Sequence, residues 1–275
     1  MNNQHPLFEA YPLHGEAEIS VGRVPTPYQT YDGHGLLIGG TADLAQVQAL
    51  LKNESVHLLQ TENGRAVMGI WVVDFTEASL GPHKELQFSF LVVHQPQSPI
   101  PNHPLALLRA LFTNPAARMF CYGLWNDTET AVAYNRELLG LEAQVMQATI
   151  TRGAGQKQFR FTDANGALLF AGQVHEAKRP SPRVGWSLLR LLGLRQTWSA
   201  PSQPFLGAKV VNPIGDVVPY NGDAQSFVAA DQPIIQFYDP GTDSFEFGGK
   251  DFDFQPEFVE HFAPFRFVYL PPERP

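Results

Sequence analysis

The chain has 275 residues, 44% hydrophobic and only 17% charged, with a formal net charge of −8 and a pI near 5.6. That length suits one large domain or two small ones, and the acidic balance without a basic cluster argues against nucleic acid as a partner. The single cysteine, Cys121, excludes an intrachain disulfide framework, and the absence of a basic–apolar leader or of about 18 consecutive apolar residues leads us to expect a cytoplasmic protein without membrane contact.

Residues 1–34 are rich in Pro, Gly and His and are expected to be irregular. Leu36-Leu37-Ile38 is a short apolar run before Gly39-Gly40. Thr41 is placed to cap the helix that follows, because its hydroxyl can accept an orphan amide bond, with Asp43 in the first turn and Leu44, Val47 and Leu51 at helical spacing.

Residues 56–61 and 65–76 read as strands around the turn Glu62-Asn63-Gly64. In the strand expected over 84–93, Leu86, Phe88 and Phe90 share one face, and Gln87 and Ser89 the other. Leu105, Leu108, Leu111 and Phe112 mark a short helix over 104–113, and Arg118–Trp125 an aromatic strand. Asn126 with Glu129 has the form of a capping box for a helix to about Leu139, with Gly140 at its end.

Residues 143–151, 157–162 and 167–175 alternate as strands, with the turn Ala164-Asn165-Gly166 between the last two. Further strands are expected near 205–211, 227–238 and 264–270. Many strands with a few helices, without regular βαβ alternation, predict a mainly β (α+β) fold: an antiparallel barrel or curved sheet carrying inserted helices. The chain is read as a single domain, 1–275, with a basic amphipathic helical insertion over 179–203.

Several residue types invite chemistry. His83 and Glu85, two apart on a strand, face the same way; with His94 or His175 they could begin a metal site, although a polar strand junction explains them as well. There is no HExxH, no Cys/His cluster, no phosphate loop and no dinucleotide fingerprint, so neither metal nor cofactor is expected. Cys121 lies between Phe120 and Tyr122 and reads as a buried thiol. Among the six lysines (Lys52, Lys84, Lys157, Lys178, Lys209 and Lys250), Lys209 lies in an apolar run, either as a strand-edge cation or as a buried amine. Residues 184–195, with Arg179 and Arg183 before them, form an apolar stretch with basic flanks. It would dock on the sheet or on another subunit, act as a lid, or touch a membrane surface.

Two stretches carry a family resemblance. Asp74-Phe75-Thr76-Glu77, closing a long strand, and Asn126 through Val132-Ala133-Tyr134-Asn135-Arg136-Glu137-Leu138-Leu139-Gly140 resemble segments of the acetoacetate decarboxylase family, in the family's order. The resemblance spans roughly residues 25–175. It implies a β-barrel around a cavity, often in an oligomer, so a homo-oligomer is expected.

The resemblance also implies a break. In that family the helix leads into an aromatic-Pro-Lys-Lys sequence whose first lysine forms a Schiff base with the substrate ketone. Here the corresponding residues are Leu141-Glu142-Ala143-Gln144, so a methyl stands in the nucleophile's place. The family's cavity arginine likewise has no counterpart in Asp32-Gly33-His34.

Glu77 then becomes the expected catalytic acid or base. Arg136, Glu137, Glu142 and Gln144 are the expected substrate-binding set. Arg136 is read either as a carboxylate clamp or as an ion-pair partner of Glu77, Glu137 or Glu142. The reading is a protein that binds a small organic acid or carbonyl compound and works without an imine. The alternative is a non-catalytic binding barrel, or a scaffold with residues 184–195 at its contact.

Overall fold

A computed structural model describes residues 5–177, 179, 181–187, 189–190, 206–211, 224–231 and 233–271. In chain order they form α1 (Pro6–Ala10), β1 (Gly15–Ile19), β2 (Gly22–Thr26), β3 (Tyr28–Asp43), α2 (Leu44–Leu50), β4 (His57–Leu58), β5 (Arg65–Ala78) and β6 (His83–Val93). Then come α3 (Ala106–Thr113), β7 (Arg118–Asn126), α4 (Glu129–Glu137), β8 (Ala143–Gly153), β9 (Gln156–Asp163) and β10 (Leu168–His175). The last elements are β11 (Leu206–Val211), β12 (Ala224–Ala230), β13 (Ile234–Phe237), β14 (Ser244–Phe247), β15 (Gln255–Phe262) and β16 (Phe265–Leu270).

The 16 residues of β3 are the spine of a 14-stranded sheet. One edge of β3 pairs with β5 from Thr30 to Asp43. Its other edge is shared, β16 taking Tyr28–Thr30 and β15 taking Gly35–Thr41. Pairing continues from β5 to β6 and from β6 to β7. β7 then has two further partners, β8 at Leu124–Asn126 and β11 at Met119–Phe120. β11 pairs with β12, and β12 with β16. Beyond β8, the sheet continues through β9, β10 and β14.

The glycines of β3 explain how so long a strand packs. A Cβ on Gly39 would stand 2.0 Å from the Phe258 ring, and one on Gly35 would stand 2.4 Å from the Phe262 ring. The aromatic rings of β15 therefore lie flat on bare backbone, the use of glycine expected where another group approaches closely.

Both faces of the β3–β5–β6 sheet are buried. Leu36, Ile38, Ile70, Val72, Leu86, Phe88 and Phe90 join Phe159, Phe161 and Phe170 in one core. On the opposite face, Leu37, Val73, Phe75 and Leu91 pack with Phe258, Phe262 and Phe265. Tyr28, Cys121, Tyr134, Ala143 and Tyr269 form an adjoining cluster, with Trp71 touching both.

The fold is mainly β with one large sheet, as expected from the sequence, but four local expectations are corrected. Residues 5–34 are ordered as α1, β1, β2 and the start of β3, because Tyr28, Gln29 and Thr30 find partners on β16. Thr41 is a strand residue that accepts from Arg65 Nε at 3.0 Å, and Asp43 caps α2 by accepting from Gln46 N at 2.8 Å. Thr128, not Asn126, caps α4. The sheet is not wholly antiparallel: β7 pairs in parallel with β8 and with β11. For β8 the reason is α4, which carries the chain back to the start of β7's direction as a parallel crossover must.

Two strands, β14 and β15, had no sequence expectation, and the 227–238 strand is divided into β12 and β13. No helix of the described residues is long and apolar enough to cross a membrane. Residues 182–187 and 189–190 are helical, and Trp186 is 68% exposed; the remainder of the 184–195 stretch lies outside the described residues.

Candidate functional site

Strand β6 alternates as its sequence requires, but both of its faces are inside the fold. Leu86, Phe88 and Phe90 face one core. The other face presents His83, Glu85, Gln87 and Ser89, a polar row where a core would be expected. His83 pairs in register with Phe75, and Glu85 lies between Val73 of β5 and Asn126 of β7.

The row is wired into its surroundings. His83 Nδ1 faces the Gly81 carbonyl at 2.8 Å, and its Nε2 lies 3.0 Å from the Tyr28 hydroxyl. A carbonyl only accepts, so Nδ1 carries the proton and Nε2 accepts from Tyr28. Thr30 Oγ1 in turn donates to the Tyr28 hydroxyl at 3.1 Å. Burial lowers the His83 pKa, in keeping with a neutral ring.

Glu85 has a different environment. Its Oε2 accepts from Asn126 Nδ2 at 3.1 Å, and Asn126 Oδ1 accepts from Asn135 Nδ2 at 2.9 Å. Burial raises the Glu85 carboxyl to about 7, and the Asn126 bond opposes that rise without cancelling it. The carboxyl lies deep in the fold, yet the residue keeps part of its surface accessible.

Neighbouring phenols are neutral donors. Burial pushes Tyr28 and Tyr269 well above the ordinary tyrosine value, and the charge of Glu85 adds to both shifts. The Tyr269 hydroxyl is enclosed and has no hydrogen-bond partner among the described residues. The Cys121 thiol is buried, as expected from the sequence, and burial likewise pushes its pKa up. Chemically, the cluster offers a proton-exchanging carboxyl close to neutrality, an unengaged phenol, and a neutral imidazole.

The residues chosen from sequence lie elsewhere. Glu77 is exposed at the end of β5, in register with Asp32, and its charge is felt by Tyr31. Arg136 is exposed on α4. Glu137 accepts from the Ser20 amide at 2.9 Å and so ties α4 to the β1–β2 turn. Glu142 and Gln144 are exposed on either side of Ala143, which is 1% exposed in register with Leu124. Strand alternation explains that split: with Ala143 turned inward, its neighbours point out. The expected ion pairs of Arg136 with Glu77, Glu137 or Glu142 are not among those of the described residues.

Glu85 is a deeply placed carboxyl that sequence reasoning did not select; burial raises Glu260 of β15 to about 7 as well, but it has no side-chain donor among the described residues. The signal for Glu85 is the i, i+2 spacing with His83, which by itself fits a metal site or a polar strand junction as readily. Among the described residues no three His, Cys, Asp or Glu side chains are grouped to hold a metal ion. Lys209 is in register with Gln225 of β12, and among the described residues Lys157 is a buried lysine.

No protein-family model and no curated protein matches the chain. Solved structures do match. The crystal structure of acetoacetate decarboxylase from Legionella pneumophila subsp. pneumophila str. Philadelphia 1 superposes with a TM-score of 0.55 at 11% identity, covering 100% of this chain and 96% of that chain. A second acetoacetate decarboxylase structure gives 0.54 at 10% identity, covering 90% of this chain and 87% of that one. The fold is therefore acetoacetate decarboxylase-like, and at these identities the likeness is one of fold.

Proposed function

We propose that the chain binds a small organic acid or carbonyl compound in the polar interior lined by β6, β7 and β16, and that Glu85 exchanges a proton with it. The observation that carries this reading is a deeply placed carboxyl with a pKa of about 7 and one side-chain donor, Asn126. Such a group gives up a proton to a ligand when it is neutral and takes one when it is ionised, both near physiological pH.

The strand partners β3, β5, β6, β7, β11, β12 and β16 support a barrel as the wall of this interior. A ligand carbonyl oxygen would give the Tyr269 hydroxyl the acceptor it lacks. The ionised Glu85 carboxylate would then remove a proton from the carbon beside that carbonyl, while the phenol stabilises the enolate oxygen. No imine enters this scheme, since Ala143 has no nucleophile to offer.

The acetoacetate decarboxylase-like fold supports a carbonyl acid as the ligand class. The resemblance itself offers Glu77 as the acid–base group, with Arg136, Glu137, Glu142 and Gln144 around the ligand. That set is the rival assignment for the same kind of reaction. A non-catalytic binding protein is the second reading, and it is favoured by the same inert methyl at position 143.

Turnover across a panel of 2-oxo, 3-oxo and hydroxy acids, measured with Glu85→Gln and Glu77→Gln beside the unaltered protein, separates the three. Loss of turnover in Glu85→Gln with near-normal ligand affinity supports the proposal. Full activity in Glu85→Gln together with loss in Glu77→Gln overturns it. No turnover on any acid, with a ligand carried through purification and seen by native mass spectrometry, favours the binding reading.

A further inference from the structure

The far face of β3 and β5 carries a second polar cluster that the Glu85 interior does not use. Strand β9 builds its centre. Gln158 and Arg160 are exposed, while Lys157, Phe159 and Phe161 turn inward on one face. Lys157 is 2% exposed, at the end of the row of aromatic rings that fills this core. Arg152 of β8 and Val174 of β10 are its register partners.

Titratable groups from every neighbouring element converge on this end. His34 of β3 and Asp74 of β5 are in register, with His34 Nε2 3.7 Å from Asp74 Oδ2. Arg152 pairs with Glu176, just beyond β10, at 2.8 Å. His261 of β15 faces the same end, in register with Leu36, and feels the charges of Lys157, Arg152, Glu176 and His175. Asp32 acts on His34 from the same strand.

Two members of the cluster lack a partner among the described residues, and the His261 nitrogens are enclosed as well. Lys157 has no hydrogen-bond or ion-pair partner among the described residues, although its neighbours Arg152 and Glu176 are paired with each other. His261 is 9% exposed, and both of its ring nitrogens are enclosed without a partner among the described residues. Removing an imidazole from water without replacement partners is unfavourable.

We propose that this end of the core is a binding site for a small monocarboxylate, held by Lys157 with His261 as the second donor. Two carboxylate oxygens match two separate N–H donors, which a single acceptor atom does not. Charge decides the valence. Arg152 and Lys157 face Asp32, Asp74 and Glu176, and both histidines are held below their ordinary value and so are neutral near pH 7. The cluster already carries one net negative charge, so a monoanion adds the least to it, whereas a dianion would meet three nearby carboxylates with a further charge to accommodate.

Burial and Arg152 lower Lys157 to about 8, so the ammonium is still the major form at pH 7 and is lost above pH 8. Carboxylate affinity should then be flat below pH 7 and should fall about tenfold per pH unit above 8, since one proton must be bound with the ligand.

The test is an acetate titration of the full chain, read at the Lys157 side-chain nitrogen and at the His34 and His261 ring protons by NMR. The expected result is saturable acetate binding that shifts the Lys157 and His261 signals and weakens above pH 8. Lys157→Met should lose at least tenfold in affinity, and Lys157→Arg should stay within a few-fold of the unaltered protein. Inorganic phosphate should bind more weakly than acetate. Unchanged acetate affinity in a folded Lys157→Met, or no fall in affinity between pH 7 and pH 9 in the unaltered protein, overturns the site. Phosphate binding as tight as acetate overturns the assignment to a monocarboxylate. Because these signals report the far face, the outcome is independent of Glu85→Gln.

Discussion

Glu85 and Asn126 face each other in register across β6 and β7, and the Asn126 amide donates to the Glu85 carboxyl at 3.1 Å. Asn135 of α4 orients that amide by donating to its oxygen at 2.9 Å, so the helix reaches the carboxyl through one intermediary. The bond stabilises the ionised carboxylate against burial. Asn126→Leu should therefore raise the Glu85 pKa further and move any activity limb governed by it to higher pH. Leaving Glu85 and Asn135 unsatisfied should cost about 1–3 kcal/mol in stability. A pH–rate profile and denaturant unfolding check the two effects separately; an unshifted profile contradicts the role assigned to this bond.

The raised Glu85 pKa also sets a direction for stability. Between the ordinary value of 4.5 and about 7, the folded protein holds a proton at Glu85 that the unfolded chain has released. This contribution therefore declines as pH rises through that window, and below 4.5 it is fully present. Glu85→Gln removes the titration, so its unfolding midpoint should fall less than that of the unaltered protein between pH 5 and pH 7. Denaturant midpoints measured at several pH values read this directly.

Tyr28 supplies the proton that Nε2 of His83 accepts, a bond available only to the neutral ring. Tyr28→Phe should raise the His83 pKa toward its ordinary value and cost about 1–3 kcal/mol through the orphaned nitrogen. An NMR titration of the His83 ring that shows no upward shift would contradict the tautomer assigned above.

Backbone packing makes a prediction of its own. Gly39→Ala places a methyl 2.0 Å from the Phe258 ring on the adjoining strand. The ring must move, at a cost of about 1–3 kcal/mol. Phe258→Leu in the same chain should recover part of that loss, because the smaller side chain vacates the contact. A double-mutant cycle by chemical denaturation tests for the coupling, and purely additive effects would show that the ring and the glycine do not compete for space.

Much of this architecture could be read locally. The turn at Ala164-Asn165-Gly166 joins β9 to β10 with Gly166 at φ 84°, and the β6 alternation places His83 with Glu85 as its spacing required. Gly140, at φ 70°, follows the end of α4 where a glycine was expected to stop the helix. The long β3 was harder to read: its glycines remove the alternating side chains that identify a strand, and the rings that replace them belong to β15. Asn126 resembled a helix cap because its neighbours on either side are those of a helix start, and only the approach of Glu85 gives it another use.

The amino-acid sequence by itself determined the β-rich class, the positions of most strands and the inert methyl at Ala143, since each depends on residue type and short-range spacing. Tertiary structure alone decided that Glu77 lies in solvent while Glu85 sits between β5 and β7, and that Lys157 is buried. A strand has two faces, and its own residues do not specify what covers each one. Glu85 is buried by partners such as Asn126, 41 residues away, and a carboxyl's pKa follows from that cover rather than from its neighbours along the chain.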